Sequence, residues 1–176
     1  MTNKKKPRLG IIEPVGKVPE TLSELYGDKI EFKVVNADVK ELTPKGYENA
    51  LGNLSDNLKE LVDARVDGIS IMGTSLTFFR GKQFNEKLIE MIEKETGLPG
   101  TTMTTAVMKA LKAFDVKNIS IATAYGSEVT NLLLNVLKEY EFNPIKSKYY
   151  DIAIEDLPKI TTDFIVKMGL EATENS

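Results

Sequence analysis

Residues 69–81 read ISIMGTSLTFFRG, an apolar, β-branched run that stops at Gly73 and passes into two hydroxyl side chains, Thr74 and Ser75. Bounded by Gly68 and Gly73, the run from Ile69 to Met72 fits a buried strand. The following Leu76-Thr77-Phe78-Phe79 reads as an exposed cover over whatever the strand end builds. Arg80 reads as the anchor of that loop or of a carboxylate, or as a solvated turn residue before Gly81.

On either side of this stretch, strand and helix patterns alternate. Arg8 to Pro14 and Ile30 to Asn36 read as strands, with a short helix over Val18 to Tyr26 that has Pro19 near its first turn. Thr43-Pro44 opens a longer helix, with Thr43 as N-cap, that runs through Leu51, Leu54, Leu58, Leu61 and Val62 at helical spacing. Asp67 to Met72 is the third strand, and Asn85 to Glu95 a helix closed by Gly97 and Pro99. Thr104 is read as the cap of a helix through Phe114 that presents Val107, Met108, Leu111 and Phe114 on one face. Asn118 to Ala124 and Ile145 to Tyr150 are further strands, with helices over Glu128 to Tyr140 and Leu157 to Leu170. Strands alternating with helices predict an α/β fold of parallel βαβ units.

The element order repeats. Residues 8–73 run strand, helix, strand, helix, strand, and residues 118–170 run strand, helix, strand, helix. The expectation is two pseudo-symmetric lobes, 1–115 and 116–176, with the second incomplete. Its missing strand end would stand about 60 residues past Tyr125.

Composition narrows the function. The chain has 176 residues, 41% of them apolar, a net charge of −3, and neither cysteine nor histidine. Disulfides, Cys/His zinc sites, a Ser-His-Asp triad and a cysteine nucleophile are therefore excluded within these residues. Lys4-Lys5-Lys6 is the only basic run and reads as a solvated tail, so no nucleic-acid footprint is expected. There is no transmembrane-length apolar segment and no signal-peptide pattern, so the expected location is cytoplasmic, away from membranes. Gly97-Leu-Pro-Gly100-Thr101-Thr102 lacks both GK[ST] and GxGxxG, which argues against a nucleotide loop.

Ligand sites of parallel sheets lie beyond the carboxyl ends of the strands. Three such ends carry Glu13-Pro14-Val15-Gly16, Gly73-Thr74-Ser75 and Thr123-Ala124-Tyr125-Gly126. They offer hydroxyls and backbone donors and no base, which is the inventory of an oxyanion pocket. Each also has a plainer reading: Thr74-Ser75 as a helix cap, and Tyr125 as an aromatic closing a sheet edge.

The run IMGTSLTFFRGKQFNEKLIEMIEKETGLPGTTMTTAVMKALKAF, the later ISIATAY, and RLGIIEP and TPKGYENA near the start together resemble the arylmalonate decarboxylase family. That family belongs to the aspartate/glutamate racemase superfamily, with maleate isomerase and hydantoin racemase. GTSL-x-F-x-RG is its most specific element here, and racemases and isomerases of the group usually carry cysteine where this chain has Gly73.

The resemblance implies a cofactor-free, metal-free enzyme acting on a small dicarboxylic acid in a cleft between two lobes. One carboxylate of a substituted malonate would leave as carbon dioxide from an apolar pocket. The other would become an enediolate held by Thr74, Ser75, Tyr125 and backbone N–H groups. Val39, Leu42 and Tyr47 match the start of the family's hydrophobic pocket, and Pro14 matches a cleft-floor position that also terminates a strand. The family's proton donor is a second-lobe cysteine, which these 176 residues do not contain. The readings that stand beside decarboxylation are racemisation or cis-trans isomerisation, and non-catalytic binding of a small carboxylic acid.

Overall fold

A computed structural model of the chain describes residues 5–18 and 20–174. Pro19, expected at the first turn of a helix, and Lys4 of the basic run lie outside the described residues. Among those described, six strands form two parallel sheets, one of four strands ordered β2-β1-β3-β4 and one pairing β5 with β6. The α/β, parallel-sheet expectation holds.

The first sheet is built from β1 (Arg8–Glu13), β2 (Glu31–Asn36), β3 (Gly68–Ile71) and β4 (Gly100–Thr102). Its centre is dry: Ile11, Ile12, Ile69 and Ile71 are all buried. β4 escaped the sequence reading because three residues, GTT, carry no periodicity. Tertiary pairing makes it a strand, with Ile69 opposite Gly100 and Ile71 opposite Thr102. Gly100 is required there, since a Cβ would lie 2.9 Å from Ile92 Cγ2.

Between the strands stand α1 (Glu20–Tyr26), α2 (Pro44–Leu51), α3 (Leu54–Asp63), the short α4 (Thr74–Phe78) and α5 (Lys82–Thr96). Thr43 caps α2 as expected, its hydroxyl accepting from Gly46 N at 3.1 Å, with Pro44 in the first turn. The single long helix expected over 43–62 is two. At Gly52-Asn53, Gly52 N donates to both Glu48 O and Asn49 O, and Asn53 N only to Ala50 O. Two poor helix formers in succession let the axis break while Leu54, Leu58 and Leu61 still reach the core.

The stretch read as an exposed cover is the opposite. Leu76, Phe78 and Phe79 are buried, and they sit in and just after α4, which the sequence reading did not foresee. Five residues are too few to show helical periodicity, and their apolar character reflects packing beneath the strand end.

α6 (Met103–Ala113) corrects two further expectations. Its N-cap is Thr102, whose hydroxyl accepts from Thr105 N at 3.1 Å, and Thr104 is instead a buried first-turn residue. The buried face therefore runs through Thr104 and Met108 with Leu111 half-buried, whereas Val107 and Phe114 are exposed.

The second sheet joins β5 (Asn118–Thr123) to β6 (Asn143–Tyr149), connected by α7 (Ser127–Glu139). The helix expected from Leu157 divides into a 3-10 helix over Ile154–Lys159, containing Pro158, and α8 (Thr162–Thr173), capped by Thr161. α8 is clasped to β6 by Glu171, which meets Lys148 and accepts from Tyr150 OH at 2.6 Å.

Lys148, and after it Tyr150, hold the Glu171 carboxyl at about 2, below the ordinary 4.5. Because the folded value is depressed, this clasp stabilises fully above the ordinary carboxyl range and is lost as pH falls toward 2. The stability difference between the wild type and Glu171→Gln, read as ΔTm, is expected to be largest at neutral pH and to shrink below pH about 4.5. A pH-independent difference would assign Glu171 no titrating role.

No helix among the described residues is long and apolar enough to cross a membrane.

Candidate functional site

In a sheet ordered 2-1-3-4, the connection leaving β1 runs to β2 on one side and that leaving β3 runs to β4 on the other, so a crevice opens between the carboxyl ends of β1 and β3. Pro14 follows β1 and Gly73 follows β3, and the two meet there. Gly73 has φ +91°, and a Cβ on it would lie 2.9 Å from Pro14 Cγ. Both the backbone angle and the approach to Pro14 favour glycine at this strand end and make a side chain there strained. Ala37 N donates to Glu13 O and Val39 N to Pro14 O, so the segment after β2 is tied to the end of β1 with Val39 beside Pro14. Val39 is buried.

The turn at Gly73 makes Thr74 and Ser75 the first residues of α4. Across the crevice, Tyr125 follows β5, and its hydroxyl stands 2.7 Å from Thr74 Oγ1. The Tyr125 ring packs edge-on against Phe78, with centroids 6.0 Å apart. Tyr47, from α2, completes the group. Its ring leans on Phe79 at 5.5 Å, and the residue is 1% exposed.

Among the described residues, Tyr47 OH is a buried side-chain oxygen with no hydrogen-bond partner of acceptable distance and angle. Burial pushes its phenol up to about 12; Ser75 pulls the other way and Tyr125 adds to the rise. Those influences place Tyr47 OH in the neighbourhood of both residues, although its approach to Ser75 falls short of good hydrogen-bond geometry. A buried, unpaired phenol costs free energy of order 1–3 kcal/mol unless something else satisfies it.

Thr74, Ser75, Tyr125 and Tyr47 thus come together as a cluster of neutral hydroxyls, with Gly73, Pro14 and Val39 as its floor. Leu42 stands apart. It lines a cleft of about 310 Å³ with Lys40 and Thr43 on one side and Asp151, Ile152 and Ile154, which follow β6, on the other. Arg80 is also outside the cluster: its guanidinium pairs with Glu48 at 2.8 Å and covers the rings of Phe79 and Phe84. It anchors the loop, and its hydrogen bond, followed by its charge, holds the Glu48 carboxyl below the usual range.

The sequence reading missed a second tier. Thr104 Oγ1 donates to Thr74 O at 3.0 Å, Thr77 Oγ1 lies 3.1 Å from the same carbonyl, and the two hydroxyls are 2.7 Å apart. The hydroxyls of TSLT and TMTT were the available signal, but residue type alone does not tell a buried bond from a cap. No group of three or more His, Cys, Asp or Glu placed to hold a metal occurs among the described residues.

Comparison with known proteins bears on this arrangement. The model of the family described as arylmalonate decarboxylase (Amdase) matches residues 9–176. The chain belongs to the arylmalonate decarboxylase family. It is 33% identical over 171 residues to the arylmalonate decarboxylase of Bordetella bronchiseptica, a match spanning 96% of this chain and 71% of that protein.

Among solved structures, a liganded double variant of arylmalonate decarboxylase, glycine to cysteine and cysteine to serine, superposes with TM-score 0.93 at 32% identity, covering 97% of this chain and 74% of that one. The maleate cis-trans isomerase of Nocardia farcinica, in a variant carrying a covalently bound succinylcysteine intermediate, gives TM-score 0.86 at 14% identity, covering 95% and 73%, and so shares the fold. The sequence resemblance and the racemase-type fold are both upheld, and the characterised relatives of this decarboxylase-family chain are enzymes.

Proposed function

We propose that the hydroxyl cluster stabilises an enediolate formed when a substituted malonate loses carbon dioxide, without metal or organic cofactor, in a cleft between lobes 1–115 and 116–176. The observation that carries this reading is the Thr74–Tyr125 hydroxyl pair beside the unpaired, buried Tyr47 phenol. Family membership supports it.

The chemistry follows from charge movement. The bond from the α-carbon to one carboxylate breaks, CO2 leaves, and the electron pair passes into the remaining carboxylate to give an enediolate. A proton added at the α-carbon then yields the monocarboxylate, so one proton is consumed per turnover. Charge on the retained oxygens rises along this path, so hydroxyls aimed at them lower the barrier by binding the transition state more tightly than the substrate. Thr74 and Tyr125 share one hydrogen in their mutual bond, which leaves the other free to donate to an oxyanion. Val39 and Tyr47 would flank the departing carboxylate with apolar surface, where desolvation disfavours the charged group and not neutral CO2. Leu42 lies apart in its own cleft, and only its match to the family's pocket supports a role for it toward the substituent.

Tyr47 and the two alcohols, Thr74 and Ser75, are poor proton donors. Tyr47 sits at about 12, and alcohols are weaker acids still. The sequence has no cysteine, so this reading takes the proton from solvent or from a cysteine-bearing segment such as the family's. That observation favours a second reading, in which this chain by itself binds a small carboxylic acid without turning it over.

The deciding experiment uses phenylmalonate with the chain alone, and with the chain extended by the cysteine-bearing segment of a family member. Calorimetric binding and the pH rise of decarboxylation are both followed. Turnover by the extended protein only is the expected result; binding without turnover in either would establish the binder reading. Absence of both would sink the pocket assignment.

A further inference from the structure

We infer that the Thr77–Thr104 hydroxyl pair is a positioning device that fixes the Thr74–Ser75 peptide for the anion; the inference deepens the proposed function and rests on it. Both residues are buried, Thr77 at 0% and Thr104 at 1% exposure, and they belong to different helices. Two hydroxyls in a dry interior need a reason, since an unsatisfied one costs free energy and an apolar isostere would not.

Their hydrogens can be accounted for. Each hydroxyl has one to give. Thr104 Oγ1 lies 3.0 Å from Thr74 O, Thr77 Oγ1 lies 3.1 Å from it and 3.5 Å from Gly73 O, and the two oxygens are 2.7 Å apart. Whichever donates across the 2.7 Å contact, the other's hydrogen has Thr74 O as its nearest acceptor, with Gly73 O the longer alternative for Thr77. The pair behaves as one unit with a single output.

That output bears on the site through covalent geometry. Thr74 C=O and Ser75 N–H belong to one planar trans peptide, so pinning the carbonyl inward directs the N–H the opposite way. Hydrogen bonding to a carbonyl also polarises its peptide and strengthens donation from the N–H. The same clamp fixes the Thr74 Cα, and with it the Oγ1 that meets Tyr125 OH at 2.7 Å. An independent sign of a ligand at this place is the Tyr47 phenol, buried, unpaired and close to Ser75. Thr104 is itself placed by the α6 cap, where Thr102 Oγ1 donates to Asn85 Oδ1 at 2.6 Å.

The test compares wild type, Thr104→Val and Thr104→Ser in two measurements: phenylmalonate affinity by calorimetry, and amide hydrogen exchange at Ser75 in the free chain. Thr104→Val is expected to weaken binding roughly three- to tenfold and to accelerate Ser75 exchange, because one net hydrogen bond is lost and the Thr74 carbonyl is left to the Thr77 hydroxyl alone. Thr104→Ser, which keeps the hydroxyl, should restore both. Wild-type affinity and exchange in Thr104→Val would overturn the inference, as would a serine variant as impaired as the valine, which would make the role one of packing. If wild type itself fails to bind phenylmalonate, the proposed function has failed. Exchange at Ser75 then decides the clamp alone: acceleration in valine and rescue in serine uphold it, and unchanged exchange overturns it.

Discussion

Thr74→Val is expected to lower turnover of phenylmalonate by the extended, cysteine-bearing protein by roughly 10²–10³, the effect of removing one oxyanion donor. Valine keeps the size and branching of threonine, so Gly73, α4 and the Thr77–Thr104 contacts to the residue 74 carbonyl stay in place. The change deletes one hydroxyl and frees Tyr125 OH from its 2.7 Å partner. A donor that acts mainly on the enediolate should lose kcat with little change in KM, and in the chain alone phenylmalonate affinity should fall by no more than about tenfold. Tyr125→Phe should reproduce the pattern, and the double variant should cost much less than the product of the singles because the two hydroxyls act as a unit. A Thr74→Val enzyme with wild-type kcat would remove the hydroxyl pair from the mechanism.

How much of this was legible in the sequence depends on the range over which each feature is determined. The strands at Arg8, Ile30 and Asn118, the Thr43 cap with Pro44, and the alternation that makes the sheets parallel are local: periodicity and cap chemistry suffice. β4 and α4 are not local. Gly100 to Thr102 is extended because β3 lies beside it, and Leu76 to Phe79 turns helical and buried because Gly73 aims it beneath the strand ends. A string of Leu, Phe and Phe next to an arginine looks exposed only until the fold gives it a core to enter. The Arg80 charge stays at the surface on Glu48 while its guanidinium plane covers the rings below.

The site divides in the same way. Thr74, Ser75 and Tyr125 were reachable because strand ends of parallel sheets are where ligand groups gather, and the motif supplied the residues. Their meeting could not be read from spacing, since Thr74 and Tyr125 are 51 positions apart and on different sheets. The second tier was less legible still. Thr102, Thr104 and Thr105 look interchangeable in TTMTTA, yet one caps α6, one holds Thr74 and one receives from Asn85. Which hydroxyl does which follows from the register at which β4 hands over to α6, and a two-residue shift would carry the cap from Thr102 to Thr104. The sequence reading made that shift by placing the cap at Thr104.

Asn85→Leu should be the most destabilising of the substitutions considered, by about 3 kcal/mol, a Tm loss of roughly 6–12 °C for a chain of this size. Asn85 is 0% exposed, and its amide joins three elements. Oδ1 accepts from Thr102 Oγ1 at 2.6 Å, and Nδ2 donates to Thr105 Oγ1 at 2.7 Å and to Tyr140 OH at 3.0 Å. Leucine fills the same volume, so the loss is polar and not a cavity. Thr102 and Thr105 can still bond to each other at 3.1 Å, but Tyr140, only 9% exposed at the end of α7, has no substitute donor among these groups. Burial already raises the Tyr140 phenol, with Asn85 opposing that shift, so removing the amide should raise it further. Thermal unfolding of Asn85→Leu, with Asn85→Asp as a polar control, checks the magnitude, and ultraviolet titration of the phenols checks the direction. Because the amide fixes the start of α6, the same variant should also accelerate exchange at Ser75, through Thr104 and the Thr74 carbonyl. A stable Asn85→Leu protein with unchanged Ser75 exchange would show that α6 is placed by its apolar face at Met108 and Leu111 alone.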